Sequence, residues 1–217
     1  MDREAFIKEL ESEAPNSEKE SKLYARMSSE IIWALVSAVE AKDPYTEGHS
    51  GRVADYTRMM VQRLGVSAKA QKKIYFISLM HDIGKIGIPD YILNKTSGLT
   101  DEEFQLIKDH PVIGERILSG ITSIPELAIG ARWHHEKYDG TGYPDGLKGE
   151  EIPKIARLIA VADSYDAMAS KRSYRDILPQ AVIRSEIEKG IGTQFDPVFA
   201  GLMLEIIDED KDYTLHG

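Results

Sequence analysis

Apolar residues recur at spacings of three and four along most of the chain, the period that lays one stripe along a helix. Ile31, Ala34, Leu35, Ala38 and Val39 form the first such stripe from Glu30 onward, and Pro44 ends it. A second stripe, Val53, Tyr56, Met60 and Leu64, runs into Gly65, a residue suited to a helix C-terminus, and a third passes through Ile74 and Ile77 to a stop at Gly84. Thr100 and Glu103 have the spacing of a capping box, so a helix is predicted from there to Asp109, with Pro111 pushing His110 out of helical geometry. Further helices are predicted from Pro125 to about Glu136, Pro153 to about Ser170, Pro179 to Lys189 and Pro197 to Ile207. Each opens on a proline, whose missing N–H costs nothing in a first turn. No stretch of useful length alternates with period two and no internal repeat is visible, so the predicted fold class is all-α, a helical bundle.

Between these stripes lie two segments of another kind. Asp2 to Lys22 is mostly Glu, Lys and Ser, with Pro15 and Asn16 in the middle, a composition that buries little and predicts a flexible leader or linker over residues 1–27 ahead of one domain over 28–217. Asp139 to Gly149 is rich in glycine and polar residues and predicts a loop beside its flanking elements. At 217 residues and 42% hydrophobic, the chain can bury one substantial core. Lys and Arg total 27 against 36 Asp and Glu, a net charge of −9, so no overall positive field draws long nucleic acid or an anionic membrane, and any phosphate site must be locally basic. There are no cysteines, which removes disulfides, thiolate metal sites and thiol nucleophiles and fits a reducing, cytoplasmic setting. No apolar run approaches the ~18 residues of a membrane span, and Met1 to Leu10 lacks the apolar centre of a signal peptide.

The histidines change the picture. Five of the six, His49, His81, His110, His134 and His135, fall at or near predicted helix ends, most of them close to a carboxylate. His49 continues the stripe of Val53, Tyr56 and Met60, and His81 that of Ile74 and Ile77, so both rings are expected to face inward. His134 and His135 end a helix whose stripe is Leu127 and Ala131, and Asp163 lies on the inner edge of a helix carrying Leu158, Ile159 and Ala162. One inward histidine is ordinarily a hydrogen-bonded core residue. Five, with at least two carboxylates, would leave several buried groups unpaired at ~1–3 kcal/mol each unless a cation satisfied them. Imidazole and carboxylate without thiolate suit iron, manganese or zinc, and the donors outnumber the needs of one ion, so two transition-metal ions are expected. Neighbouring helical residues point ~100° apart, which lets His81 hold one ion while Asp82 bridges two. Lys85, just past Gly84, falls at the edge of that site, where an ammonium can neutralise a phosphoryl oxygen or help a leaving alkoxide.

The motif His81-Asp82-Ile83-Gly84-Lys85, together with His134-His135-Glu136 and Asp139-Gly140-Thr141-Gly142-Tyr143-Pro144, resembles the HD-GYP family of bacterial cyclic dinucleotide phosphodiesterases, a branch of the HD hydrolase superfamily. The similarity extends to Asp43-Pro44-Tyr45-Thr46, His110-Pro111, Ala162-Asp163, Tyr165-Asp166-Ala167, Arg172, Tyr174-Arg175 and Phe195-Asp196-Pro197, and spans roughly Ser28 to Ile207. The resemblance implies an HD-domain helical core with added C-terminal helices, a centre of two or three iron or manganese ions, and hydrolysis of cyclic di-GMP to linear pGpG or on to GMP. By the same resemblance His49, His81, Asp82, His110, His134, His135 and Asp163 are metal ligands, Asp82 and Lys85 serve catalysis, and Lys85, Arg172 and Arg175 grip substrate phosphate. The Gly-Tyr-Pro loop is assigned to structure or to signalling partners ahead of chemistry.

Two readings of function follow, a metal-dependent phosphodiesterase and, as the alternative, a module that binds a cyclic dinucleotide or a partner without turnover. Retention of His81, Asp82 and Lys85 favours the first. One departure from the family's trinuclear pattern bears on the product. Where a glutamate one helical turn before the first histidine would serve a third ion, this chain has Tyr45, and Asp43 and Glu47 point elsewhere if the segment is helical, so a weak or absent third site and mostly linear product are expected unless Pro44 unwinds the segment and lets Glu47 or Asp43 swing in.

Overall fold

The structure is a computed structural model that describes residues 18–43, 47–170 and 177–215. The chain divides into two compact units, Met1–Leu35 and Val36–Gly217. The described part of the first unit is helical and belongs to α1, Glu18–Glu40. This helix begins well before the stripe at Glu30, in a stretch where the sequence predicts a flexible leader. Good helix formers and one-turn ties, such as Arg26 Nε on Glu30 Oε1 at 2.7 Å, suffice to carry it there without burial.

The second unit contains α2 (His49–Arg63), α3 (Ala68–Leu79), a 3-10 turn (Ile83–Gly87), α4 (Asp90–Leu93), α5 (Asp101–Ile107), α6 (His110–Leu118), α7 (Glu126–Trp133), α8 (Lys154–Ala169), α9 (Gln180–Lys189) and α10 (Pro197–Glu209). No strand occurs among the described residues. α8 is the hub, packed against α2, α7, α9 and α10. It can take that place because it is apolar nearly all round: Ala156, Leu158, Ile159, Val161, Ala162, Tyr165 and Ala169 are buried, and the small alanines admit neighbouring helices closely. Val53 and Met60 of α2, Ile77 and Leu79 of α3, Ile183 and Ile187 of α9, and Met203 and Ile206 of α10 complete the core. A buried ion pair between Arg157 and Asp196 joins α8 to the start of α10, whose first amides, Val198 and Phe199, donate to Asp196 Oδ1. Among the described residues no helix is long and apolar enough to cross a membrane.

Local signals set most helix ends. Thr100 and Glu103 form the expected capping box, and Ser67 caps α3 by accepting from the Ala70 amide. Pro125, Pro153 and Pro179 stand at the caps, and Pro197 opens α10. Two expectations are corrected. His110 is the first residue of α6, because Pro111 falls in the first turn where no intrahelical amide is needed, and the break in the chain lies at Lys108–Asp109. The segment between α1 and α2 is also not a continuation of helix: residues 41–42 and 47–48 are turns, and Gly48 takes a left-handed φ of 71° just ahead of His49.

Gly84 fixes the distance between the 3-10 turn and α6. A Cβ there would lie 1.9 Å from the His110 carbonyl oxygen and 2.5 Å from the Gly114 amide nitrogen, so only glycine permits this approach.

Candidate metal centre

Seven side chains meet where the ends of α2, α3, α6 and α7 converge on the middle of α8. Ligand atoms of Asp82, His110, His134 and His135 all lie within 4.8 Å of one another, as do those of His49, His81 and Asp163. Asp82 joins the two groups. Its Oδ1 faces His110 Nε2 at 3.2 Å and His134 Nε2 at 3.6 Å, while Oδ2 faces His81 Nε2 at 3.5 Å and His49 Nε2 at 3.7 Å. His49 Nε2 is also 3.3 Å from Asp163 Oδ1. One carboxylate therefore presents one oxygen to each group.

The backbone sets the tautomers. His81, His110 and His134 each place Nδ1 on the carbonyl three residues earlier, Ser78, Ile107 and Ala131, at 2.7, 2.7 and 2.8 Å. A carbonyl only accepts, so each Nδ1 carries a hydrogen and each ring turns its Nε2 toward the centre. The fourth ring is oriented by a carboxylate instead: His49 Nδ1 is 2.7 Å from Asp166 Oδ2, and Asp166 is held by Arg52 Nε and Nη2 at 2.6 and 3.1 Å and by the Ser170 hydroxyl. His81 Nε2 is buried without a hydrogen-bond partner among the described residues. Such an orphan, facing carboxylates and imidazoles of matched tautomer, is what a divalent cation relieves.

Charge is arranged to the same end. Burial alone would raise the Asp82 pKa, but the Lys85 ammonium and the surrounding imidazoles hold it well below the usual carboxylate range. Asp163 is likewise held low, against burial, by His49 and its neighbours. Burial pulls His81 down to about 4 and lowers His110 and His135, so these rings are neutral and available as ligands. His49 differs. Burial acts downward there too, but Asp163 and Asp166 outweigh it and lift the ring to about 9.

Lys85 comes to this centre as expected, with Nζ 2.7 Å from Asp82 Oδ2. Asp43 Oδ2 lies 3.7 Å from the same ammonium. The expectation that Asp43 points elsewhere rests on a helical segment and is corrected, since the chain leaves α1 at Glu40 and turns Asp43 inward, where it is buried. Tyr45, Arg172 and Arg175 lie outside the described residues.

Glu136 ties the glycine-rich loop to the centre. Its Oε1 accepts from the amides of Asp145 and Gly146 at 2.7 and 3.0 Å, and Asp145 in turn takes Arg132 Nε and Trp133 Nε1 at 2.8 and 2.7 Å. A Cβ on Gly142 would fall 2.3 Å from the Lys137 nitrogen and 2.6 Å from the His135 carbonyl oxygen, so the loop lies directly on the ligand-bearing strand of backbone. The Tyr143 ring stacks on His135 with centroids 4.8 Å apart and planes at 27°. Asp166, Arg52 and Glu136 carry no role in the sequence reading. The signal for Asp166 was available, since it follows Asp163 by three residues and so shares its helical face.

Residues 34–198 match the HD domain family. The chain belongs to the HD domain family. An HDG"Y"P protein of Bdellovibrio bacteriovorus shares the fold, with a TM-score of 0.61 over 74% of this chain and 51% of that one at 20% identity. It is 38% identical over its whole length to a cyclic di-GMP phosphodiesterase of Thermotoga maritima, of which it spans 63%, and 39% identical over 85% of its length to the 3'3'-cGAMP-specific phosphodiesterase 3 of Vibrio cholerae, of which it spans 40%. The crystal structure of the cyclic GMP-AMP specific phosphodiesterase V-cGAP3 of V. cholerae superposes with a TM-score of 0.65 over 85% of this chain and 49% of that one, at 19% identity, a likeness of fold. The HD domain chain described here thus corresponds to part of the length of these relatives.

Proposed function

We propose that this HD domain is a metal-dependent phosphodiesterase that hydrolyses cyclic di-GMP to linear pGpG. The observation that carries the reading is the tautomer-matched set of inward Nε2 atoms split by the two oxygens of Asp82 into two groups of donors. Relatives named as phosphodiesterases of cyclic di-GMP or cGAMP support the substrate class. His110, His134 and His135 would hold one ion, His49, His81 and Asp163 the other, with Asp82 shared. Iron or manganese suits this thiolate-free set best, with zinc as the next candidate. Bound there, two such ions supply a hydroxide near neutral pH and offset the charge of the phosphate oxygens.

The chain's own residues do the rest. Asp82, ionised throughout the neutral range, fixes the spacing of the two donor groups. Lys85, whose pKa is raised because Asp82 and Asp43 outweigh the effect of burial, keeps its proton and presents a cation beside the reacting phosphate. That ammonium is suited to balance charge on a phosphoryl oxygen or on the leaving 3'-oxygen as the P–O bond breaks and the oxygen takes up a proton. Arg172 and Arg175, three residues apart, are assigned to phosphate from sequence, where guanidinium forks match phosphate oxygens. The exposed edge of the glycine-rich loop, Thr141, Asp145, Lys148 and Glu150, is the surface that a signalling partner would meet. Anaerobic loading with iron or manganese, metal analysis and chromatography of products from cyclic di-GMP test the reading. About two ions per chain and accumulation of pGpG are expected; binding of cyclic di-GMP without any product would establish the non-catalytic alternative.

A further inference from the structure

Lys108 is a half-buried cation with no acidic partner among the described residues, in a chain of net charge −9. It lies in the two-residue break between α5 and α6, two positions before His110. Its ammonium is not turned to the adjacent Asp109. Instead it rests 4.8 Å from the centroid of the Phe104 ring and 5.6 Å from that of Tyr143, the same ring that stacks on His135. The cation is therefore two contacts away from a candidate metal ligand. Phe104 is 44% exposed.

A cyclic dinucleotide is a dianion with two phosphates and two purines, and the metal centre with Lys85 acts on only one phosphodiester. The other half of the molecule calls for a cation and an aromatic face at the rim, and Arg172 and Arg175, assigned to phosphate from sequence, lie outside the described residues. We infer that Lys108, flanked by Phe104 and Tyr143, is the subsite for the half of the cyclic dinucleotide that is not being cut, its phosphate on the Lys108 ammonium and its base against the exposed Phe104 ring. Ring faces on either side hold the ammonium without neutralising it, and stacking of bases on aromatic side chains tolerates any purine. This inference rests on the phosphodiesterase reading and deepens it by naming a binding determinant outside the ligand cluster.

The test compares the metal-loaded wild type with Lys108→Gln, Lys108→Arg and Phe104→Ala on two substrates, cyclic di-GMP and bis(p-nitrophenyl) phosphate, which has a single phosphodiester and no second half. Lys69→Gln serves as a charge control, since that exposed lysine lies on α3 outside the ligand cluster. Lys108→Gln is expected to raise KM for cyclic di-GMP about tenfold with kcat within twofold and metal content unchanged, and to weaken binding of a non-hydrolysable phosphorothioate analogue by the same factor in titration calorimetry. Turnover of bis(p-nitrophenyl) phosphate should be unaltered, Phe104→Ala should follow the same pattern, and Lys108→Arg should retain most of the affinity. A merely structural role would move both substrates together. Equal KM values for wild type and Lys108→Gln on cyclic di-GMP, or equal losses on both substrates, overturn the subsite while leaving the phosphodiesterase reading intact. Failure of the wild type to act on cyclic di-GMP while it still cleaves the model ester overturns both.

Discussion

Replacing Gly84 by alanine tests how the fold holds the metal centre. The added Cβ would stand 1.9 Å from the His110 carbonyl oxygen, and ordinary contact begins at 3.4 Å, so α6 must withdraw by about 1.5 Å or the 3-10 turn must break. The atoms in conflict are backbone on both sides, so no rotamer change can relieve them. Catalytic and ligand geometry tolerates about 0.5 Å, and His110 Nε2 is 3.2 Å from both Asp82 Oδ1 and His134 Nε2. The variant should therefore lose the ion proposed for Asp82, His110, His134 and His135 and retain the one proposed for His49, His81 and Asp163. Overpacking of this kind costs about 3 kcal/mol, or a Tm lower by roughly 6–12 °C for a chain of this size. Metal content by mass spectrometry and Tm by calorimetry read the two effects, with Gly98→Ala, which meets nothing within 4 Å, as control. A Gly84→Ala protein with full metal content and unchanged Tm would show that α6 does not depend on this approach.

Asp166→Asn should weaken metal affinity about 10–100-fold at the His49 group only, because an amide can present its N–H to His49 Nδ1 and favour the wrong tautomer; chelator competition reads this, and equal affinity would remove Asp166 from the site. Lys85→Ala should lower kcat with little change in KM, whereas Arg172→Ala should raise KM, and matching effects would merge the two roles. In the metal-free chain His49 is raised from 6.5 to about 9, so its contribution to stability is complete below pH 6.5 and disappears as the pH climbs through about 9. Denaturant unfolding of metal-free wild type should show that slope and His49→Asn should lack it; parallel curves would refute the assignment.

Sequence periodicity reached the helical class and the inward direction of His49 and His81, because an apolar stripe and the residues that continue it share one face. It reached the clustering of histidines and carboxylates because five imidazoles beside carboxylates have no cheaper arrangement in an acidic chain without cysteine. It stopped where geometry depends on elements far apart in sequence. Asp82 is legible as a bridging candidate, but the division of its two oxygens between His110 and His81 arises from α6 packing against the 3-10 turn across Gly84. The inward turn of Asp43 to Lys85 depends on the chain leaving α1 at Glu40, which the stripe through Val39 does not announce. Helix over residues 18–29 has no stripe to reveal it, since its apolar residues Leu23, Tyr24 and Met27 are exposed.

The four inward rings are fixed by two different devices, and the difference has a chemical consequence. Where the partner of Nδ1 is a carbonyl, as for His81 and His110, that side of the ring gains no countercharge, and burial outweighs Asp82 on the other side and keeps the ring neutral. Where the partner is Asp166, pinned by Arg52, the ring gains a countercharge on one side and Asp163 Oδ1 supplies a second at 3.3 Å on the other. His49 therefore holds a proton on Nε2 in the metal-free chain, directed at an oxygen that is itself a candidate ligand. Loading that group near neutral pH must expel this proton, while loading at the carbonyl-backed rings need not. Calorimetry of metal binding at pH 7 in two buffers of different ionisation enthalpy should thus register close to one proton released per ion bound at the His49 group, falling toward zero above about pH 9. Binding without proton release at pH 7 would mean that Asp163 and Asp166 do not act together on His49, and the carboxylate pair on α8 would lose its part in the chemistry.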